Sequence, residues 1–232
     1  MRFRSVRRGA ILEVTFDDGG MNLLSSAALR ELETLVLGIR HGLADIDPPS
    51  LLLFRSGRPG LFAAGADMAE MERFSAADAM EFAALGQELF GRISVLPMAT
   101  AAFIDGDCFG GALDLALAFD VRLAAPSARF AHPGARLNIV TGFGGTSRWR
   151  QRLSFSAARR LFLANEVLSA AEALSIGLVD SVSEEIDEEC RRLLQADPRW
   201  GRMVKELTIH SPRLSQRDQS LLADRLAQLY SR

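Results

Sequence analysis

Several things are scarce in this sequence, and each scarcity removes a class of function. There are two cysteines, Cys108 and Cys190. They are not spaced as a metal site, and a disulfide framework needs more of them. The three histidines, His41, His132 and His210, lie far apart, with no H-x-x-x-H or H-E-x-x-H spacing, so no metal ion is expected. No G-x-S-x-G elbow supports serine hydrolase chemistry, and no P-loop is present. The Gly142-Phe-Gly-Gly145 run is only a weak half-match to a dinucleotide turn. Charge of one sign is also missing: the formal net charge is −2, which gives no reason to expect a nucleic-acid or anionic-membrane partner. The basic start, Met1 to Arg8, precedes an apolar run broken by Glu13, too short and polar for a secretory signal. No later run is long enough to span a bilayer, so the expected location is the cytoplasm.

What is present is a chain of 232 residues, 48% hydrophobic, the size of one generous domain. Ile11 to Phe16 reads as a strand, and Ser25 or Ser26 caps a helix with Leu29, Leu32, Leu35, Val36 and Ile39 on one face. Ser50 to Phe54 is a continuous apolar run, the pattern of a strand buried on both faces, and the apolar run Met98 to Ile104 reads as a buried strand. Ser75 with Asp78 opens a long helix over about 76–93. Leu113 to Phe119 reads as a helix body, and Gly142 to Thr146 opens another helix. Asp120 to Ala124 and Ala128 to Ala131 read as strands. Ser169 and Glu172 form a capping box for a short helix that Gly177 closes. Beyond Val182 the chain turns more charged, with helical patterns over Glu184 to Leu194, Trp200 to Thr208 and Ser215 to Tyr230. Five or six strands and seven or eight helices, alternating through the first two-thirds, predict an α/β layered fold with a helical C-terminal portion.

Two glycine-bearing turns, Ala63-Ala-Gly-Ala-Asp67 and Gly110-Gly111, each stand just before an expected helix. Backbone N–H groups from two such turns, converging on one point, would form an oxyanion hole, in which each donor contributes about 2.7–4 kcal/mol. Small residues suit that purpose, but tight helix–strand packing asks for the same residues. Asp114, alone in a greasy segment, is either an acid/base group or a carboxylate complementing a helix dipole.

Four motifs in order carry a resemblance. Leu61-Phe-Ala-Ala-Gly-Ala-Asp-Met-Ala-Glu-Met71 is similar to the F-x-A-G-A-D-[IL]-x-E-M signature of the crotonase (enoyl-CoA hydratase/isomerase) superfamily. Asp105 to Ala116, with Phe119-Asp120, resembles its N-G-x-x-x-G-G-G-x-E-L-A…C-D segment. Ala128-Arg-Phe-Ala-His-Pro133 with Gly142 to Thr146, and Ser169 to Asp180, resemble two later motifs. The resemblance implies a spiral of ββα units over residues 1–182 with a shortened helical segment over 183–232, assembled as a homotrimer or homohexamer. It implies an acyl-CoA thioester substrate, with coenzyme A as part of that substrate and no other cofactor. Carried over by motif position, the oxyanion-hole amides fall on Ala66 and Gly111, and Asp114 falls on the first catalytic carboxylate. Ala63, Ala64, Gly65, Asp67, Met68 and Gly110 would line the substrate path.

The second glutamate of the hydratase and isomerase members falls on Gly134, where no carboxylate exists. Two carboxylates that hold and split one water are therefore incomplete, and Asp114 is shorter than glutamate by one methylene, about 1.5 Å of reach. His132, with an intrinsic pKa of about 6.5, is the nearest replacement base in sequence, although strand alternation counts against it. Arg136 is a possible contact for a substrate carboxylate. The leading expectation is a lyase or isomerase working through a thioester enolate. The alternative is a catalytically silent paralogue that binds acyl-CoA or assembles with an active homologue.

Overall fold

The computed structural model describes residues 1–42, 48–137 and 139–195, with Pro198 and Lys205. In chain order these carry β1 (Phe3–Arg8), β2 (Ile11–Phe16), β3 (Leu23–Leu24), α1 (Ser26–Gly42), β4 (Leu51–Ser56), β5 (Leu61–Ala63) and β6 (Gly65–Ala66). Next come α2 (Met68–Met71), α3 (Ala76–Ser94), β7 (Ala99–Ile104), β8 (Asp107–Phe109), α4 (Gly111–Ala116), β9 (Val121–Ala124) and β10 (Arg129–Ala131). A 3-10 turn (Pro133–Leu137), α5 (Gly145–Arg152), α6 (Phe155–Phe162), β11 (Leu168–Ser169), α7 (Ala170–Ser175), β12 (Ser181–Val182) and α8 (Ile186–Leu193) complete the described chain.

The apolar runs become central strands because both faces of their sheet are covered. The six-stranded sheet has the order β1-β2-β4-β7-β9-β12. Only the β1–β2 pairing is antiparallel. Along β4, Leu52 and Phe54 enter the main core, while Leu51 and Leu53 enter a second core closed by Cys190 of α8. Period-2 alternation thus sends one continuous apolar run into two separate cores. A second sheet, β11-β10-β8-β5, and the short β3–β6 pair carry the turns of interest.

The structure corrects several sequence readings. Phe3–Arg8 is a strand, β1, although its pattern lacks alternation, because only Phe3 is buried and the remaining residues form a charged edge. The helix expected over Leu113 to Phe119 is α4, Gly111–Ala116. It ends early because Ala118 N–H and Phe119 N–H turn to acceptors three residues back, the tighter 3-10 pattern. β8 and α6 were not anticipated: β8 exists through non-local pairing with β5 and β10, and α6 starts at a Ser154 cap that accepts from Ala157 N–H. The capping boxes at Ser75/Asp78 and Ser169/Glu172 form as read. Gly177 closes α7 at φ +76°, with Leu178 N–H donating to Ala173 O at 2.8 Å. The helical patterns over Trp200 to Thr208 and Ser215 to Tyr230 lie outside the described residues apart from Lys205.

Candidate functional site

The two glycine turns meet. Gly65 sits at φ +101°, a conformation that disfavours any side chain. A Cβ there would stand 2.7 Å from Phe109 O and 3.2 Å from Gly111 N. A Cβ on Gly111 would stand 3.4 Å from Ala66 N. The backbones of β6 and of the α4 start therefore touch, and only glycine permits that approach. Gly110 precedes the helix at φ +55° and donates its N–H to Ala131 O at 2.9 Å, which ties the turn to β10. Gly111 is the first residue of α4, so its N–H has no acceptor within the helix.

Ala66 and Gly111 lie on the wall of one cavity of about 280 Å³. Ala64, Gly65, Met68 and Gly110 share that wall. Ala63 does not, because its side chain is fully buried in the main core. Asp67 turns its carboxylate to the start of α2, accepting from Glu70 N–H at 3.1 Å. The far wall comes from His132, the 3-10 turn after it and the loop beyond, with Pro133, Gly134, Ile139, Thr141 and Phe143 among others. Arg136 is exposed and lines neither this cavity nor a second one of about 520 Å³ that shares His132, Ile139, Val140 and Thr141 with it.

Asp114 is fully buried and is not part of either cavity wall. Its Oδ2 accepts a hydrogen bond from Thr141 Oγ1. Gly145 makes room for it: a Cβ there would fall 1.7 Å from Oδ1. Burial pushes the Asp114 pKa up to about 7, against the lowering effects of the Thr141 hydrogen bond and the nearby Arg148 charge. His132 faces it, with Nε2 3.8 Å from Asp114 Oδ1, beyond hydrogen-bond reach. The imidazole is buried, which lowers its pKa, while a hydrogen bond to its own backbone acts the other way. The chain leaves β10 into the 3-10 turn, and the ring packs on Phe162 with centroids 4.7 Å apart instead of following the strand.

Gly134 accepts no side chain. A Cβ would stand 2.5 Å from Ile139 O, because the loop folds back with Ile139 N–H donating to Gly134 O at 2.9 Å. The sequence reading also missed Thr141, Gly145 and Arg148. The signal was the glycine run 142–145, read as a helix opening, a weak half-match to a dinucleotide turn and part of a family motif; one of its members gives way to a buried carboxylate.

A family model described as enoyl-CoA hydratase/isomerase matches residues 7–227. The chain belongs to that family. It is 36% identical over 176 residues to crotonyl-CoA hydratase of Syntrophomonas wolfei, a match covering 75% of this chain and 66% of that protein. To human mitochondrial methylglutaconyl-CoA hydratase it is 38% identical over 137 residues, covering 59% and 40%. The chain thus matches two thirds or less of the length of these relatives. Among solved structures, DspI of Pseudomonas aeruginosa superposes with a TM-score of 0.87 at 26% identity, over 99% of this chain and 96% of that one. An enoyl-CoA hydratase from Thermoplasma volcanium GSS1 gives 0.87 at 21% identity, over 100% and 93%, a likeness of fold alone. The architecture of the enoyl-CoA hydratase/isomerase family is therefore the crotonase fold expected from the motifs.

Proposed function

We propose that this chain binds an acyl-CoA thioester and stabilises its enolate with the backbone amides of Ala66 and Gly111. The observation that carries this reading is the contact between the two glycine turns, which puts both residues on one cavity wall. Two fixed amides aimed at a developing oxyanion need no reorganisation as charge builds up, and act most strongly where water is excluded. The cavity is mostly apolar, lined by Met68, Met71, Phe82 and Phe143 beside the glycines, which suits an acyl group. No cofactor beyond the coenzyme A of the substrate enters the scheme. Hydration, isomerisation and decarboxylation all pass through the same enolate and remain within the proposal.

A second reading, thioester binding without turnover, is favoured by one observation. Gly134 has no space for a carboxylate that could hold a water opposite the first. A panel of acyl-CoA thioesters, followed by calorimetry and by product analysis, separates the two. Turnover of any thioester supports enolate chemistry, binding without turnover supports the second reading, and absence of binding removes both.

A further inference from the structure

Two buried polar atoms face each other in the site without a hydrogen-bond partner: Asp114 Oδ1 and His132 Nε2, 3.8 Å apart. Leaving such atoms unpaired costs about 1–3 kcal/mol each, so a pair of them opposite one another calls for an explanation. The carboxylate is held by Thr141 Oγ1 on Oδ2, and the missing side chain at Gly145 leaves room for Oδ1. Asp114 itself lies behind the cavity walls. The His132 ring does reach them, lining both the 280 Å³ cavity and an adjoining apolar cavity of about 520 Å³. Its Nδ1 and Cε1 stand 3.2 Å from the place where a Gly134 Cβ would be. The Nδ1 edge of the ring therefore meets the bare backbone of a cavity-lining glycine.

We propose that His132 is the proton-transfer group of this site and that Asp114 is its positioning residue. The proposal rests on the thioester reading above. A small closure of the 3.8 Å gap lets Nε2–H donate to Asp114, which fixes the tautomer with the lone pair on Nδ1; once protonated, Nδ1–H donates to the residue's own backbone, which favours the protonated ring. Nδ1 then removes the α-proton of the bound thioester. The C–H electron pair forms the Cα–C double bond, and the carbonyl π pair moves onto the oxygen held by Ala66 and Gly111. Return of the proton from Nδ1 to Cα, or to Cγ of an unsaturated chain, restores the thioester and the neutral imidazole. No other reactant is consumed. Among the described residues, the charged or titratable groups that bear on Asp114 are Arg148 of α5, which favours its carboxylate form, and Cys108 of β8, whose own ionisation the carboxylate opposes.

The test uses butanoyl-CoA in deuterated buffer, with deuterium at Cα read by mass spectrometry and binding of the same thioester read by calorimetry. The native protein is expected to exchange the α-proton. His132→Gln should bind within about threefold of native and lose roughly 10²–10⁴ in exchange rate. Asp114→Asn should exchange more slowly, with the rising limb of its pH profile moved to lower pH, since Asn no longer favours the protonated ring. Exchange by His132→Gln at the native rate overturns the proposal. Binding without exchange by the native protein overturns it too, while leaving the thioester-binding reading intact. Failure to bind any thioester overturns that reading by a separate measurement. A check independent of the variants' folding is the His132 ring signal, one of three histidine signals in the native protein. It should move when butanoyl-CoA is added, and an unmoved ring signal in the thioester complex overturns the proposal.

Discussion

Gly111 and Asp114, three residues apart, differ in place: Gly111 lines the cavity and Asp114 is buried behind it. Gly111→Val would drive a branched side chain into the Phe143 ring, which already lies 2.9 Å from the Cβ position, and across the face of Ala66 N. Loss of one oxyanion donor lowers turnover by about 10²–10³. The variant is expected to lose at least that much in kcat on the best thioester, and retained turnover would remove Gly111 from the site. Asp114 leads to a pH prediction. The native carboxyl keeps its proton up to about pH 7, whereas in the unfolded chain it gives the proton up near 3.8. Between those values the folded state binds more protons, so burial of this group costs stability progressively as pH rises, and the cost levels off above pH 7. Asp114→Asn removes that dependence. The melting temperature of the variant minus that of the native protein should therefore climb between about pH 4 and 7 and then stay level.

The elements around the site are held by a few buried polar anchors. Asn22, fully buried at φ 51°, sits between β2, β4 and β5. Its Nδ2 donates to Phe16 O, Ser56 Oγ and Phe62 O at 2.9–3.1 Å, and its Oδ1 accepts from Asp18 N–H at 3.0 Å. This network ties β2, β4 and β5 together just ahead of the turn carrying Ala66. Asn22→Ala leaves several buried groups unpaired, at about 1–3 kcal/mol each, in a left-handed backbone that alanine disfavours. A fall of at least about 2 kcal/mol in urea denaturation is expected, with weaker thioester binding. Arg122 is a second anchor. It is 2% exposed and donates to Leu178 O at 2.7 Å, Phe119 O at 2.9 Å and Asp180 Oδ2 at 2.5 Å, tying β9 to the end of α7. Arg122→Met keeps the volume and leaves those acceptors unpaired, and a loss of about 2–4 kcal/mol is expected from the same measurement.

At the scale of the molecule, the family resemblance implies a trimer or hexamer, and the surface offers apolar side chains to make one. Val140, Phe155 and Leu163 are 81%, 70% and 65% exposed and border the 520 Å³ cavity. Clustered exposed apolar side chains are a common feature of interaction sites, and the expected assembly is tested through them. Sedimentation is expected to give three or six times the 25.3 kDa chain mass, and Phe155→Asp should shift it toward the single chain. A native protein that sediments as one chain would remove the assembly expectation. Among the described residues no helix is long and apolar enough to cross a membrane.

The sequence by itself determined the features that depend on neighbours along the chain. Its capping boxes, the closing glycine at 177, the doubly buried runs of β4 and β7 and the two glycine turns all form as local rules require, and their order identified the family. Tertiary structure decided what depends on separation in space. It brought Gly65 against Phe109 and Gly111, paired β8 with strands from both sides, and turned Asp67 away from the cavity. It also placed His132 opposite Asp114, eighteen positions earlier, with the ring packed on Phe162. A side chain's partner across such a gap is set by the packing of whole elements, which no spacing of residues along one strand can encode.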